Sequence, residues 1–173
     1  MKKIISATLL LGWFVLAGSM GTQGEENMLI KSAAFSENQL IPQKYTCQGK
    51  DVSPPLSIEG IPSGAKTVAL IVDDPDAPMQ TWVHWVVFNI PARSTVEIPE
   101  GNVPGKQGSN DFGKVDYGGP CPPSGTHRYF FKAYALDQEL PLKEGARKGD
   151  VEKAMQGHML AKGELIGLYK KGK

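Results

Sequence analysis

Trp82-Val83-His84-Trp85-Val86-Val87-Phe88-Asn89-Ile90, closed by Pro91, is an aromatic and β-branched run broken by a single ionisable side chain, and its reading decides the fold class. It reads as a strand. Residues 67–72 (TVALIV), bounded by Gly64 and by Asp73-Asp74-Pro75, read as a strand covered on both faces. Residues 126–136 (THRYFFKAYAL) form a third predicted strand and residues 164–169 (ELIGLY) a last one. One helix is predicted, capped by Asp150, in which Val151, Ala154, Met155 and His158 recur at i, i+3, i+4 and i+7 until the break near Gly163. That spacing puts His158 on the packed face. The strands lie too close together for βαβ crossovers of a dozen or more residues. The predicted fold is therefore mainly β, an antiparallel β-sandwich with a C-terminal helix and short connecting helices or loops.

The chain has 173 residues, 40% hydrophobic and 21% charged, with 19 basic and 18 acidic side chains. No charge excess marks a nucleic-acid partner. Twenty glycines and 13 prolines are too many breakers for a helical bundle, while the apolar runs exclude disorder. No repeat, low-complexity tract or polar linker divides residues 28–173, which are expected to form a single domain. Ahead of them, Lys2 and Lys3 precede an apolar run over 4–17 and the small-residue stretch Gly18-Ser19-Met20-Gly21, the pattern of a signal peptide over 1–21. The apolar run is shorter than the roughly 20 residues of a membrane span. No stable membrane anchor is expected; residues 22–27 then form a flexible mature N-terminus, and the protein is expected to be periplasmic or secreted.

Period two sorts the side chains. It predicts a common face for Trp82, His84, Val86, Phe88 and Ile90, and another for His127, Tyr129, Phe131 and Ala133. Asp74 shares parity with Val68, Leu70 and Val72, and Asp76 follows inside the turn Asp74-Pro75-Asp76-Ala77-Pro78. A lone inward histidine is commonly a hydrogen-bonded core residue. Two histidines, a tyrosine and two aspartates from three converging segments instead suggest a polar pocket.

The ordered set of motifs resembles the phosphatidylethanolamine-binding proteins, in the bacterial branch also called Raf-kinase-inhibitor-like proteins. It consists of DPDAP over 74–78, HWVVFN over 84–89 and GGPCPPSGTHRY over 118–129, supported by Tyr45-Thr46-Cys47, 51–56 (DVSPPL), 110–113 (NDFG) and 154–158 (AMQGH). The resemblance implies two antiparallel sheets and a small pocket for phosphate-like anions or phospholipid head groups. Its residues would be Asp74, Asp76, Pro78, His84, Pro122, Gly125, His127 and Tyr129. It also implies that the two cysteines, Cys47 and Cys121, both lie near the pocket, and in an exported chain they are expected to pair. The chain ends in Lys170-Lys171-Gly172-Lys173 rather than in the helical tail of eukaryotic members. Their kinase-inhibitory or membrane behaviour is therefore not carried over.

The residue chemistry supports anion binding. His84, His127, Tyr129 and the amides of 118–125 can donate hydrogen bonds, while the aspartates accept from the histidine rings and set their tautomers. No catalytic residue, cofactor or metal is required. A hydrolase using the same Asp, His and Tyr groups is the alternative, although no Gly-x-Ser-x-Gly elbow is present. A metal held by His84, His127, Asp74 and Asp76 is chemically allowed but lacks HxH or HExxH spacing. A protein partner such as a protease or kinase, docking through a phosphorylated side chain or carboxylate, fits the same donors.

Overall fold

The runs that alternate or stay apolar in the sequence become strands because their β-branched and aromatic side chains fit a pleated, buried surface. The computed structural model describes residues 26–172, so the expected signal peptide lies outside the described residues. In chain order the elements are β1 (Glu26–Asn27), β2 (Leu29–Lys31), β3 (Gln39–Leu40), a single 3-10 turn (Gln43–Tyr45), β4 (Leu56–Glu59), β5 (Thr67–Asp74), β6 (Trp82–Pro91), β7 (Thr95–Ile98), β8 (Lys106–Gln107), β9 (Thr126–Leu136), the helix α1 (Lys148–Met155) and β10 (Met159–Lys170). One sheet runs β1-β10-β9-β5-β6-β8, with β3 also on β10, and the other runs β2-β4-β7. Pairing is antiparallel except where β1 and β3 join β10 in parallel. Glu26 and Asn27 belong to the segment expected to be flexible, and here they make β1 opposite Ala161 and Lys162.

The large sheet has a core on each face. Val68, Leu70, Val72, Tyr129 and Phe131 pack against Ile30, Leu56, Ile58, Val96 and Ile98 of the small sheet. On the opposite face Ala69, Ile71, Val83, Val86 and Phe88 meet Leu140, Val151 and Met155 beneath α1. All eight residues of β5 are buried, as expected for a strand covered on both sides. Each large side chain so buried contributes about 1.5–3 kcal/mol.

β6 does not keep the expected alternation. Val72 pairs with Trp85 and Asp73 with Val83, which leaves His84 as an extra residue; a second extra residue lies where Val68 pairs with Ile90 but Leu70 with Val87. These are β-bulges, each of which turns the following side chains over. Consequently Val86 and Phe88 face the helix, while Trp85, Val87 and Ile90 face the small sheet. The common face predicted for 82, 84, 86, 88 and 90 is thus broken, although His84 still lies beside Tyr129, with ring centroids 5.1 Å apart. Asn89 anchors the second bulge at φ +56°, its side chain donating to the Leu140 carbonyl and accepting from the Leu140 amide.

The helix also differs. It starts at Lys148, so Asp150 sits within the first turn, accepting the Arg147 amide at 3.2 Å, rather than capping from outside. It stops at Met155, before Gly157 takes φ +78°, and β10 starts at Met159 rather than at Glu164. His158 therefore lies beyond the helix. It is partly exposed, with Nδ1 3.0 Å from an Asp137 carboxylate oxygen, and is not on a packed helical face.

Candidate functional site

Where the ends of β5 and β6 meet the 118–125 segment, a cavity of about 320 Å³ opens. Asp74, Ala77 and Pro78 form one wall, Trp82, His84 and Phe112 a second, and Cys121, Pro122 and Pro123 a third. Four of the expected residues, Asp74, Pro78, His84 and Pro122, thus line one space. His127 and Tyr129 stand buried beside it on the inward face of β9. Asp76 and Gly125 are not among its walls: Asp76 is turned to Arg128, and Gly125 occupies an open turn at φ +72°.

Hydrogen bonds set the chemistry of each group. The His84 Nδ1–H donates to the Gly118 carbonyl at 2.6 Å, so in the neutral ring Nε2 carries the lone pair. Burial holds the pKa of His84 below its ordinary value, with the Gly118 bond pulling the other way. Asp74 is bonded locally through both oxygens. One oxygen accepts the Asp76 amide at 2.8 Å, and the other accepts His127 Nδ1–H at 2.7 Å, which keeps the His127 ring in a fixed orientation. The Arg128 guanidinium grips Asp76 and lowers its pKa to about 2.

Two donors are left over. Among the described residues, Trp82 Nε1 and Tyr129 Oη are buried without a hydrogen-bond partner. Burial, and then the Asp74 charge, push the Tyr129 phenol far above its ordinary pKa, so it keeps its proton. An unpaired buried donor costs about 1–3 kcal/mol, and native structures rarely retain one without a use.

The walls are held from outside the strands. Cys47 and Cys121 are joined in a disulfide, as expected, with Cα atoms 5.5 Å apart. Gly119 fits because any Cβ there would strike the Tyr45 carbonyl and Asp51, whose carboxylate accepts the Gly119 amide. Phe112 packs edge-on to both Trp82 and His84, at 5.5 and 5.3 Å. Its loop is secured by Asn110, which accepts the Phe112 and Lys114 amides, and by Asp111, which accepts the Val83 amide. Neither Trp82 nor Phe112 was among the expected site residues. Trp82 shared the predicted face of His84, a usable signal; Phe112 lies in a loop, where no periodicity points inward.

Fold and cavity together define a β-sandwich of the binding-protein type. The family model for phosphatidylethanolamine-binding protein matches residues 31–170, and the chain belongs to that family. A UPF0098 protein of Methanothermobacter thermautotrophicus is 53% identical over 154 residues, spanning 84% of this chain and all of that protein. Another, from Pyrococcus horikoshii, is 49% identical and spans 97% of this chain and 88% of its own. Among solved structures, a phosphatidylethanolamine-binding-protein homologue from Chlamydia trachomatis superposes with a TM-score of 0.79 at 44% identity, over 85% of this chain and 99% of that one. YbcL of E. coli, described as a member of the mammalian family, gives 0.77 at 30% identity, over 84% and 99%.

Proposed function

We propose that this chain is an extracytoplasmic, non-enzymatic binding protein whose cavity takes a phosphate-like anion, either free or as the head group of a phospholipid. The observation that carries this reading is the pair of unpaired buried donors, Trp82 Nε1 and Tyr129 Oη, beside a cavity lined by His84. Phosphate oxygens are acceptors, and these are donors lacking one. The His84 Nε2 lone pair suits a phosphate that still carries a proton, and a protonated His84 would donate instead. Prolines 78, 122 and 123 stiffen two of the walls, which limits the entropy lost on binding. The Cys47–Cys121 disulfide and the leader-like residues 1–21 support an oxidising compartment outside the cytoplasm. A protease or kinase partner presenting a phosphorylated side chain would use the same donors.

Calorimetry with inorganic phosphate and phosphoethanolamine, on the parent protein and on Trp82→Phe, tests this. Loss of a charge-assisted hydrogen bond, about 1.5–3 kcal/mol, weakens binding roughly 10- to 150-fold. Equal affinity in both proteins, or no binding to the parent, would overturn the assignment. Release of inorganic phosphate from phosphoethanolamine would favour the hydrolase reading.

A further inference from the structure

The cavity wall is secured unevenly, and the difference falls at Cys121. Residues 118–120 are held by hydrogen bonds: Gly118 N–H to the His84 carbonyl, Gly119 N–H to Asp51, and Cys47 N–H to the Pro120 carbonyl. Between Cys121 and the start of β9 at Thr126, among the described residues, no backbone–backbone hydrogen bond holds the chain. Pro122 and Pro123 have no N–H to offer. The bond from Cys121 to Cys47 is thus the tether of the very residues that form the third wall, Cys121, Pro122 and Pro123.

The two sulfurs stand in different surroundings. Cys47 is exposed, whereas Cys121 is partly buried against the cavity, and Lys171 Nζ lies 3.9 Å from its sulfur. An incoming thiolate reaches Cys47 more readily, and a nearby ammonium stabilises the thiolate that leaves.

We infer that Cys47–Cys121 is a thiol-exchange site that latches the anion cavity. The substrate class is a small thiol or the dithiol of an oxidoreductase. Its thiolate attacks Cys47 Sγ; a new disulfide forms to Cys47, the Cys47–Cys121 bond breaks, and the electron pair leaves on Cys121 as a thiolate beside Lys171. The second thiol of the dithiol then attacks the mixed disulfide, releasing Cys47 as a thiol and the dithiol in oxidised form. The protein gains two electrons and the dithiol loses two. Residues 121–125 then lose their tether while 118–120 stay bonded.

The effect on binding rests on the proposed anion site, so the latch is also read without a ligand. NMR relaxation of the backbone amides in the whole protein, oxidised and reduced with dithiothreitol, should show lower order parameters at Cys121, Ser124 and Gly125 in the reduced form, with the β9 amides and the far-UV circular dichroism unchanged. Equal order parameters in the two forms overturn the latch, and so does loss of the fold on reduction. Brief exposure to glutathione followed by alkylation should place glutathione on Cys47 and the alkyl group on Cys121; the reverse assignment overturns the proposed direction of attack. Lys171→Gln should slow this opening severalfold, and an unchanged rate overturns the role of Lys171. Inorganic phosphate should bind the reduced form roughly tenfold more weakly, a change of about 1.4 kcal/mol. Equal binding in both forms overturns the coupling, whereas no binding even to the oxidised form overturns the anion site and leaves the order parameters to judge the latch.

Discussion

Asp73 and Asp74 are consecutive on β5, equally buried and on opposite faces of the sheet, and they are managed in opposite ways. Asp73, fully buried, accepts from Lys132 at 2.8 Å and Lys148 at 2.6 Å, tying α1 to the sheet. Burial, the largest single influence, would lower the Lys148 pKa, but the hydrogen bond and charge of Asp73 together with Glu152 outweigh it and the pKa ends raised. Lys148 is therefore a permanent charge at any physiological pH. Asp74 instead relies on a backbone amide and an imidazole, beside a cavity that contains a second imidazole. Fixed counter-charges make a clamp, while titratable neighbours make a site that responds to what enters it.

The contrast breaks first, if it breaks, at Asp73→Asn. Removing one partner from a buried ion cluster costs about 3 kcal/mol. The urea midpoint should fall with an unchanged slope while phosphate affinity stays within twofold; a loss below about 1 kcal/mol would show that Asp73 is no clamp.

pH probes the other face. Because the folded-state pKa of His84 is depressed, the unfolded chain binds the proton more readily, so the ligand-free protein should lose stability as pH falls below 6.5 toward that lower pKa. Bound phosphate favours the protonated ring, so its affinity should rise by about tenfold between pH 8 and 5.5. Calorimetry in buffers of different ionisation enthalpy should register proton uptake, and a flat or opposite trend would remove His84 from the site.

Tyr129→Phe sharpens the distinction between folding and binding. It deletes a buried hydroxyl that has no protein partner, so the empty protein should gain up to about 1 kcal/mol in stability while phosphate binds more weakly. Thermal melts with and without phosphate would show the two effects with opposite signs; a destabilised empty protein would mean that the hydroxyl serves the fold. The smallest effect is expected at His158→Ala, where a partly exposed pair with Asp137 contributes no more than about 0.5 kcal/mol. Neither melting nor phosphate affinity should move appreciably.

The legible parts of this molecule are those governed by local periodicity. Val68, Leu70 and Val72 on one side of β5, and Tyr129 and Phe131 on β9, lie where alternation puts them. His84 reaches the cavity for a reason that alternation does not contain, since two bulges in β6 reset the faces around it, and one of them is held by Asn89 through a contact 51 residues away. The helix stops early because Gly157 adopts a backbone that ends it, and β10 extends back to Met159 because β9 offers a long partner. Phe112 comes into place through side-chain caps within its own loop. Four of the expected residues line the cavity, and although the motif over 110–113 contains Phe112 and the predicted face of His84 contains Trp82, their place in the walls emerged only with the tertiary contacts.

The order of strands also constrains when this chain can become a protein. β1 and β3, near its beginning, each pair with β10, the last strand, which in turn pairs with β9. A nascent chain that has emerged only as far as residue 150 holds β9 with one side open and has nowhere to seat β1 or β3. Pairings of such sequence separation are slow, and an open strand edge is the usual template for aggregation. Assembly of the large sheet thus waits until β10 has been made, with its dozen strand residues acting as the keystone.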